Sequence, residues 1–375
     1  MSAVMSAVAR GLDGVVVDET KVCLADKQTD RLFYRGYAIE DLAAEAGYEE
    51  VAYLLVNGDL PTRKQLEDYR QRLASLRALP APLVAVLDQL PATADPMDVL
   101  RTACSVLGSL EPETKEHGLA AVGERVMACL PTALLYWHHR HHGGKALTNG
   151  SGEPDAAGNL LTLLHGTPPD ALRRRAIEVS LIVYAEHDFN ASTFAARVAA
   201  STLSDAYSSF VAAISTLKGP LHGSANAAVL RFLTPFKSAD EAEAAALDML
   251  AKKARVPGFG QRAYSKADPR NAINKPWAKK LADAAGEPVL YDVAARIENV
   301  LMRERKMFAN LDYYTAIIYQ ASGLPVGLFA PMFFLARLPG LIAHIGEQRG
   351  NNRIIHPSSS YIGLQPRRFL RLDER

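Results

Sequence analysis

The sequence contains little cysteine, almost no excess charge and few segments with the alternation of a half-buried strand. Its three cysteines, Cys23, Cys104 and Cys129, form no CxxC pair, which favours reduced thiols over a disulfide framework. Forty-two basic and forty-one acidic residues leave a formal net charge of +1, so no global field attracts nucleic acid. No apolar run of signal-peptide length opens the chain. We therefore expect a cytoplasmic protein without a nucleic-acid partner.

Apolar segments with helical spacing are abundant instead. The 375 residues are 49% hydrophobic and 22% charged, which is typical of a folded globular protein of about two domains. Helical periodicity recurs at 40–55, 63–76, 95–110, 173–186, 191–216, 225–233, 239–254 and 290–307. Strand-like alternation is limited to 14–22 and 32–34, and 143–160 has the composition of a surface loop. The pattern predicts a mainly α protein.

One uncharged stretch, 313–336, is long enough to cross a bilayer. It contains Gly323, Pro325 and Pro331, and Arg337 follows it directly. We interpret the stretch as two short buried helices joined at Gly-Leu-Pro, because proline and glycine interrupt a helix there. The sequence thus predicts a protein without a membrane partner.

The segment AEHDFNAST places His187 directly after an apolar helix, beside Asn190, Ser192 and Thr193. One interpretation is a helix break in which Asn190 or Ser192 caps the next helix. The other is a histidine on the floor of a polar pocket that donates hydrogen bonds to an anion. The residues alone leave both interpretations open.

A second histidine lies in a tight loop, in the segment KGPLHGSAN. Gly219, Pro220 and Gly223 flank His222, and an alanine-rich helix follows. Such a turn presents a side chain, and the amino end of the next helix suits a developing negative charge. The alternative is a plain turn with no role in chemistry.

The segment VPGFGQRAYSKADPR contains a glycine-rich loop. The Gly258–Gly260 backbone has free N–H groups for a phosphate or a carbonyl oxygen, and Arg262, Lys266 and Arg270 add positive charge. No strand pattern precedes the loop, so a dinucleotide-binding fingerprint is excluded.

A carboxylate, Asp312, lies between an aromatic cluster and the long apolar stretch, in FANLDYYTA. A desolvated carboxylate there is a better base than one in water. The alternative is an N-cap for the following helix, which the spacing allows equally well.

A histidine cluster, WHHRHHGG, offers His138, His141 and His142 at spacings that suit a metal if the segment is helical. We favour the last turn of a helix that Gly143 terminates, and we expect no metal site.

Taken in chain order, these segments resemble the citrate synthase family. The matching segments fall in the family's order and spacing between residues 11 and 363: LFYRGYAIEDL, AEHDFNASTFAARV, GPLHGSAN, GFGQRAYSKADPR, NLDYYTAIIYQASGLP and HIGEQRGNNRIIHPSSSYIG. Within the family, the stretches EEVAYLLVNGDLPTRKQLEDY, LPATADPMDVLRTA, LLYWHHRHHG and RRFLRLDER are most similar to the 2-methylcitrate synthases.

The resemblance implies a helical homodimer with a citrate synthase-like fold. It implies a large domain of residues 1–222 and 325–375 and a smaller mobile domain of residues 223–324. The implied reaction condenses propionyl-CoA or acetyl-CoA with oxaloacetate or a related 2-oxo acid, and then hydrolyses the thioester to 2-methylcitrate or citrate and CoA. No metal or redox cofactor is expected, because the coenzyme A thioester is itself a substrate.

The resemblance also implies roles for individual residues. Asp312 would remove the acyl-CoA proton, and His222 would donate a hydrogen bond to the enolate oxygen. The residues expected to bind the 2-oxo acid are His187, Asn190, Arg270, Arg337 and His356. The backbone expected to form part of the CoA site is that of Pro257, Gly258, Phe259 and Gly260.

Three positions depart from the family pattern. Gln261 replaces a histidine that polarises the ketone of the 2-oxo acid, and its amide donates a hydrogen bond without carrying charge. His356 replaces an arginine contributed across the dimer interface, and Ser224 replaces the second glycine of an HGG sequence. Three functions therefore stay open: a methylcitrate or citrate synthase, a condensing enzyme with another 2-oxo acid acceptor, and a catalytically idle dimer that binds acyl-CoA.

Overall fold

The computed structural model describes residues 8–12 and 14–375. Within these ranges the chain forms sixteen α-helices and one small sheet, which confirms the prediction of a mainly α protein. In chain order the helices are α1 (Ile39–Glu45), α2 (Tyr48–Asn57), α3 (Arg63–Ser75), α4 (Ala81–Gln89), α5 (Pro96–Leu110), α6 (Leu119–His142), α7 (Ala156–His165), α8 (Ala171–Tyr184), α9 (Ala191–Ser201), α10 (Ala206–Leu217), α11 (Ala225–Leu233), α12 (Ala239–Ala251), α13 (Pro269–Ala284), α14 (Pro288–Arg305), α15 (Leu311–Ala321) and α16 (Phe329–Gly350).

The sheet is an antiparallel meander of β1 (Cys23–Asp26), β2 (Arg31–Tyr34) and β3 (Tyr37–Ala38). The strand expected at 32–34 is confirmed as part of β2. The strand expected over 14–22 is wrong, since residues 15–20 have no regular structure. No described strand pairs with this segment, so its three consecutive valines, Val15 to Val17, are not packed into a sheet and Val16 is 89% exposed.

Predicted helix starts are confirmed by side-chain caps. Thr62 and Gln65 form a capping box at the start of α3, and Asp95 accepts a hydrogen bond from the backbone of Met97 at the start of α5. The loop expected at 143–160 ends earlier, because Asp155 caps α7.

Two predicted helical runs are each divided. The run 40–55 is broken at Ala46 and Gly47, between α1 and α2. The run 191–216 is broken between α9 and α10, where Leu203 has a positive φ of 63° and Asp205 caps the new helix. Periodicity survives both breaks because each pair of helices buries its apolar side in the same core.

The uncharged stretch 313–336 is interrupted at 322–325, as predicted, between α15 and a short 3₁₀ turn that leads into α16. The second helix is longer than expected, since α16 continues through Pro339 to Gly350. Leu119–His142 and Val326–Gly350 are long and apolar enough to cross a membrane, but 78% and 83% of their most apolar windows are buried inside the protein. Such burial is typical of core helices.

Helices α11 to α15 pack mainly on one another: α13 and α11 contact α15, and α12 contacts α14. Contacts of α8 with α13 and α15, and of α16 with α11, join them to the rest of the chain. The division into residues 223–324 and the remainder stays a prediction. The candidate site lies where these two groups of helices meet.

Candidate active site

Asp312 lies in the first turn of α15. Asn310 is the N-cap of this helix and accepts a hydrogen bond from the backbone of Asp312 at 3.1 Å, so the alternative that Asp312 is the cap is wrong. The Asp312 carboxylate instead accepts a hydrogen bond at Oδ1 from the phenol of Tyr184, at 2.6 Å. Burial raises the pKa of Asp312, against the opposing effects of Tyr184 and the Arg270 charge. This is the environment of a general base.

His222 is fixed by a compact loop before α11. Its backbone N–H donates to the carbonyl of Gly219, and the backbone N–H of Gly223 donates to the carbonyl of Leu217. A Cβ at Gly223 would lie 2.5 Å from the backbone carbonyl oxygen of Leu217, so only glycine fits this turn.

The imidazole of His222 faces the start of α9. Its Nε2 lies 2.9 Å from Oγ of Ser192 and accepts the backbone N–H of Ser192 at 3.3 Å. When Nε2 accepts this backbone N–H, the proton of the neutral ring is at Nδ1. Burial, helped by the Arg337 charge, lowers the pKa of His222 to about 4. A neutral ring with a free Nδ1–H is suited to donate a hydrogen bond to an enolate oxygen.

The glycine-rich loop 257–260 packs directly on the start of α15. The carbonyl of Gly258 accepts the backbone N–H of Asn310 at 2.9 Å, and Phe259 forms a backbone bridge with Ala309. Gly258 has a φ of 81°, and a Cβ there would lie 2.5 Å from the Tyr313 ring, which explains the glycine. The loop predicted to bind CoA is therefore next to Asp312.

His187 and Arg270 are joined by an aromatic residue that the sequence reasoning missed. Nε2 of His187 lies 3.0 Å from the hydroxyl of Tyr264, and the guanidinium of Arg270 lies 6.0 Å from the centre of the Tyr264 ring. Burial, together with the charges of Arg270 and Arg337, lowers the pKa of His187 well below its usual value. His187 is thus a neutral hydrogen-bonding group.

Arg270 is held by a buried carboxylate. Its Nε and Nη2 donate to the two oxygens of Asp268 at 2.9 and 2.8 Å, and Asp268 also accepts the backbone N–H of Leu311. Burial favours loss of the charge, but Asp268 outweighs it and raises the pKa of Arg270. Asp268 therefore fixes both the guanidinium and the first turn of α15.

Arg337 is 1% exposed, and its charge is less well neutralised than that of Arg270, which pairs with Asp268. Its Nε donates to the backbone carbonyl of Tyr184 at 2.5 Å, and its guanidinium lies 4.8 Å from the centre of the Phe333 ring. Among the described residues, its Nη1 has no hydrogen-bond partner. Burial lowers the pKa of Arg337, and the Glu186 charge opposes that shift. Such a buried, unsatisfied donor suits an anionic ligand.

Gln261 and Asn190 line a cleft of about 720 Å³ together with His187 and residues 15–18. Oε1 of Gln261 accepts the backbone N–H groups of Arg262 and Ala263, at 2.7 and 3.3 Å, so its amide nitrogen is the group left to donate. Asn190 is the N-cap of α9, as one interpretation predicted. Its side chain contacts residues 187–193, so its support of this turn is structural.

His356 does not join the other predicted residues within the protomer. It belongs to a C-terminal segment, 351–375, whose side chains are almost all exposed. Ser224 is the first residue before α11, and its side chain caps nothing. The predicted cluster within one protomer therefore consists of His187, Asn190, His222, Gln261, Arg270, Asp312 and Arg337.

An ion-pair network in which His344, Glu186 and Arg197 are buried lies next to the site. Nε2 of His344 lies 2.8 Å from Oε1 of Glu186, and Arg197 bonds both Glu347 and Asp18. Burial disfavours the charged form of His344, but the two glutamates outweigh it and raise its pKa. The network links Asp18, in the N-terminal segment, to Glu186, the residue that precedes His187.

The histidine cluster at 138–142 forms the end of α6, which Gly143 terminates, as predicted. His138 and His142 stack at 5.1 Å, and His141 approaches the carbonyl of Leu87. Among residues 8–12 and 14–375, no group of three or more His, Cys, Asp or Glu side chains is arranged to hold a metal ion.

Comparison with known proteins decides the family. A family model described as citrate synthase, C-terminal domain, matches residues 11–358. A 2-methylcitrate synthase from Shewanella oneidensis is 42% identical over 365 residues, which cover 97% of each chain. The citrate synthase 2 of Bacillus subtilis is 38% identical and covers 98% of this chain and 99% of its own.

The chain belongs to the citrate synthase family. It is therefore an enzyme of that family, as predicted, and solved structures of citrate synthases share its fold. The structure of the Thermotoga maritima citrate synthase is 32% identical with a TM-score of 0.88, over 98% of this chain and 99% of that one. The Thermoplasma acidophilum citrate synthase, solved in a ternary complex with carboxymethyl coenzyme A and oxaloacetate, has a TM-score of 0.91 at 28% identity, over 98% and 100% of the two chains.

Sequence reasoning missed four residues of the candidate site: Tyr184, Tyr264, Asp268 and Phe333. Asp268 had a usable signal, because Asp-Pro-Arg is typical of a helix N-cap followed by a residue within its reach. The three aromatic residues had none, since apolar helices and loops contain many such rings. Ser192 was identified only as a cap, whereas it also contacts His222.

Proposed function

We propose that the enzyme condenses a short acyl-CoA, propionyl-CoA or acetyl-CoA, with oxaloacetate and hydrolyses the thioester, releasing CoA and 2-methylcitrate or citrate. One observation carries the proposal: a single ring, that of Phe333, contacts the predicted donor, the anion-binding arginine and the tyrosine that bonds the predicted base. Phe333 lies 4.7 Å from the ring of Tyr184, which bonds Asp312, 5.7 Å from His222 and 4.8 Å from the Arg337 guanidinium.

The chemistry starts at Asp312. Its carboxylate takes a proton from the carbon next to the thioester, and the electrons of the broken C–H bond move to the carbonyl oxygen. Nδ1–H of His222 stabilises the resulting enolate, a contribution of about 10²–10³ in rate for such a donor. The neutral state of His222 suits this role, because its N–H is retained over the whole neutral pH range.

The enolate carbon then attacks the ketone carbon of the 2-oxo acid, the C=O π electrons move to the ketone oxygen, and the resulting alkoxide takes a proton from water, which balances the proton held by Asp312. Arg270 and Arg337 bind carboxylates in this scheme, His187 donates a hydrogen bond, and Gln261 donates one to the ketone oxygen as it gains charge. Water finally cleaves the thioester, and the sulfur leaves as the thiol of CoA. These steps need a base and hydrogen-bond donors, so we propose that no metal or redox cofactor takes part.

A second acceptor remains a competing function, and two residues favour it. Gln261 cannot deliver a proton, and His356 lacks the fixed forked charge of an arginine. Both changes concern the 2-oxo acid, whereas Asp312 and His222 are intact. A 2-oxo acid without the second carboxylate of oxaloacetate fits these changes.

A thiol-release assay tests the proposal. Acetyl-CoA and propionyl-CoA are each combined with oxaloacetate and with a panel of monocarboxylic 2-oxo acids, with Asp312→Asn as the blank. CoA release with oxaloacetate supports the proposal, and release with another 2-oxo acid alone supports the second acceptor. Binding of acyl-CoA without release in any combination would indicate the idle acyl-CoA-binding dimer. One methylene changes binding by only about 1–3 kcal/mol, so the ratio of the two thioesters has to be measured.

We further propose that the enzyme is a cytoplasmic homodimer whose C-terminal segment completes the partner's active site. Residues 351–375 bear apolar side chains that their own protomer leaves uncovered, with Tyr361 77% and Ile362 94% exposed. A partner protomer that buries this segment would bring His356 toward a second site. The three cysteines are free and buried, which suits a reducing compartment.

Hybrid dimers test this arrangement. Asp312→Asn and a variant lacking residues 351–375 are each expected to be inactive, for different reasons. Mixing them should restore about a quarter of wild-type activity, because half of the randomly formed dimers contain one complete site. A monomer in sedimentation at micromolar concentration, or full activity of the truncated variant, would contradict the proposal.

A further inference from the structure

We call Asp312 and His222 the acyl half of the candidate site, and the residues proposed to bind the 2-oxo acid its acceptor half. Tyr184, the last residue of α8, connects the two halves. Its phenol donates to Oδ1 of Asp312 at 2.6 Å, and its backbone carbonyl accepts from Nε of Arg337 at 2.5 Å. The side chain is fully buried and packs on Phe333, with 4.7 Å between ring centres. One residue thus contacts the base of the acyl half and a cation of the acceptor half.

We infer that Tyr184 is a positioning residue for Asp312: its phenol holds one carboxylate oxygen and leaves the other free to receive the substrate proton. The inference rests on the proposed function, because that proton comes from acyl-CoA. A hydrogen bond of 2.6 Å to a carboxylate is in the range of charge-assisted O–H···O⁻ bonds, which are both strong and directional.

The remaining support of Asp312 comes from the other side of the site. Asn310 caps the helix, and the Gly258 carbonyl holds Asn310 in turn. These residues fix the backbone of Asp312 but make no bond to its carboxylate. The orientation of the carboxylate therefore depends on the phenol, which belongs to the predicted large domain, while Asp312 belongs to the predicted small domain.

The electrostatic surroundings of Asp312 define the expected effect. The groups that face it are Tyr184 from α8, Asp268 and Arg270 from the start of α13, Tyr319 from its own helix and Arg337 from α16. Burial raises the pKa of Asp312, and Tyr184 is the first of the groups that oppose this. Loss of the phenol hydroxyl therefore raises the pKa further, and the base is protonated at higher pH.

The first test is Tyr184→Phe, which removes the hydroxyl and keeps the ring on Phe333. We expect kcat to fall by about tenfold or more and the acidic limb of the kcat/KM profile to move up by about one to two pH units, since bonds to charged groups are stronger than neutral ones. Tyr69→Phe is the matched control: Tyr69 is 1% exposed, its hydroxyl contacts the sulfur of Met127 at 4.0 Å, and it is not among the groups that face Asp312. The control should leave the acidic limb in place.

A second variant strengthens the same hydrogen bond instead of removing it. Tyr184→3-fluorotyrosine, introduced at a single codon, has almost the same size and a more acidic phenol, so it is a stronger donor. The acidic limb should then move to lower pH, and this variant decides the question if Tyr184→Phe does not fold. An unchanged limb in either folded variant, with kcat lowered or not, would overturn the positioning role.

Failure of the proposed function has a different signature. If the wild-type enzyme releases no CoA with any pair of substrates, the proposed function is wrong, and the positioning of Asp312 is then measured without turnover. A carbon-13 titration of labelled aspartate carboxyls, assigned with Asp312→Asn, should give a higher pKa for Asp312 in Tyr184→Phe than in the wild type. Equal values would overturn the inference on its own.

Discussion

The acyl half and the acceptor half of the site differ in how completely one protomer assembles them. Asp312 and His222 are each fixed by a direct hydrogen bond, from Tyr184 and Ser192 respectively. The acceptor half has a buried guanidinium, that of Arg337, with a nitrogen that no described residue satisfies. Its two unusual residues also contribute little within the protomer: Gln261 bonds its own loop, and His356 is exposed.

This difference indicates that the two halves are completed in different ways. A general base works when its orientation and pKa are fixed before the substrate arrives. An anion site gains from a donor that only the substrate satisfies, because that buried donor is unpaired until binding occurs. The acyl half is therefore preassembled, whereas the acceptor half requires the 2-oxo acid and, as we propose, a second protomer.

The largest expected effect comes from removing the base of the acyl half. Asp312→Asn should lower CoA release by about 10⁴-fold, the upper end for a general base acting on a weak carbon acid. Calorimetry should give nearly unchanged CoA affinity, since only the proton-abstracting oxygen is lost. Asp283→Asn, an exposed carboxylate on α13, serves as the control and should keep full activity. An equal loss of CoA affinity in Asp312→Asn would mean that this residue is structural.

A smaller effect is expected at the unsatisfied cation. Arg337→Gln should weaken the apparent affinity for the 2-oxo acid by about 100-fold, since charge-assisted bonds of roughly 1.5–3 kcal/mol each are lost. Little stability should be lost in thermal unfolding, because the wild-type charge is buried with an unpaired nitrogen.

The matched control is Arg125→Gln. Arg125 is also buried, but it bonds Glu111 and the carbonyls of Leu76 and Ala78. This variant should lose stability and keep its KM for the 2-oxo acid. If the two arginine variants behave alike, the proposed difference between the acyl half and the acceptor half is wrong.

The smallest effect concerns the two departures from the family pattern. If oxaloacetate is the acceptor, His356→Arg should improve its apparent affinity by about tenfold, the difference between a charge-assisted and a neutral bond. Gln261→His should act mainly on turnover, because the ketone oxygen gains charge only as the new bond forms. Steady-state kinetics of both single variants and the double variant measure these effects.

The double variant should be non-additive, since both residues serve one substrate. If the site is built for another acceptor, the double variant should lose activity on that acceptor and gain little on oxaloacetate. Purely additive effects would mean that the two residues do not share a ligand.

Much of the fold was predictable because its signals are local. Helix starts at Thr62 and Asp95 follow from capping side chains, and the break at 322–325 follows from glycine and proline. The strand predicted over 14–22 failed for a non-local reason. Alternation describes a strand only if a neighbouring strand exists, and here the sheet begins at Cys23.

Individual candidate groups could be picked out from the sequence, but the contacts between them could not. His222 is marked by its flanking glycines, and Asp312 by the apolar stretch that follows it. No sequence spacing links Tyr184 to Asp312, which are 128 positions apart, or Glu186 to His344, which are 158 apart. Such contacts form only when α8, α15 and α16 pack together.

The sequence by itself determined a helical enzyme of the citrate synthase family and supplied the groups that we propose carry the chemistry, since residue type and local spacing are enough for both. Only the tertiary structure decided their surroundings: which nitrogen of His222 faces Ser192, which oxygen of Asp312 is free, and which guanidinium nitrogen of Arg337 lacks a partner among the described residues. The physical reason is that burial and hydrogen bonding set protonation and orientation, and both arise from residues distant in the chain.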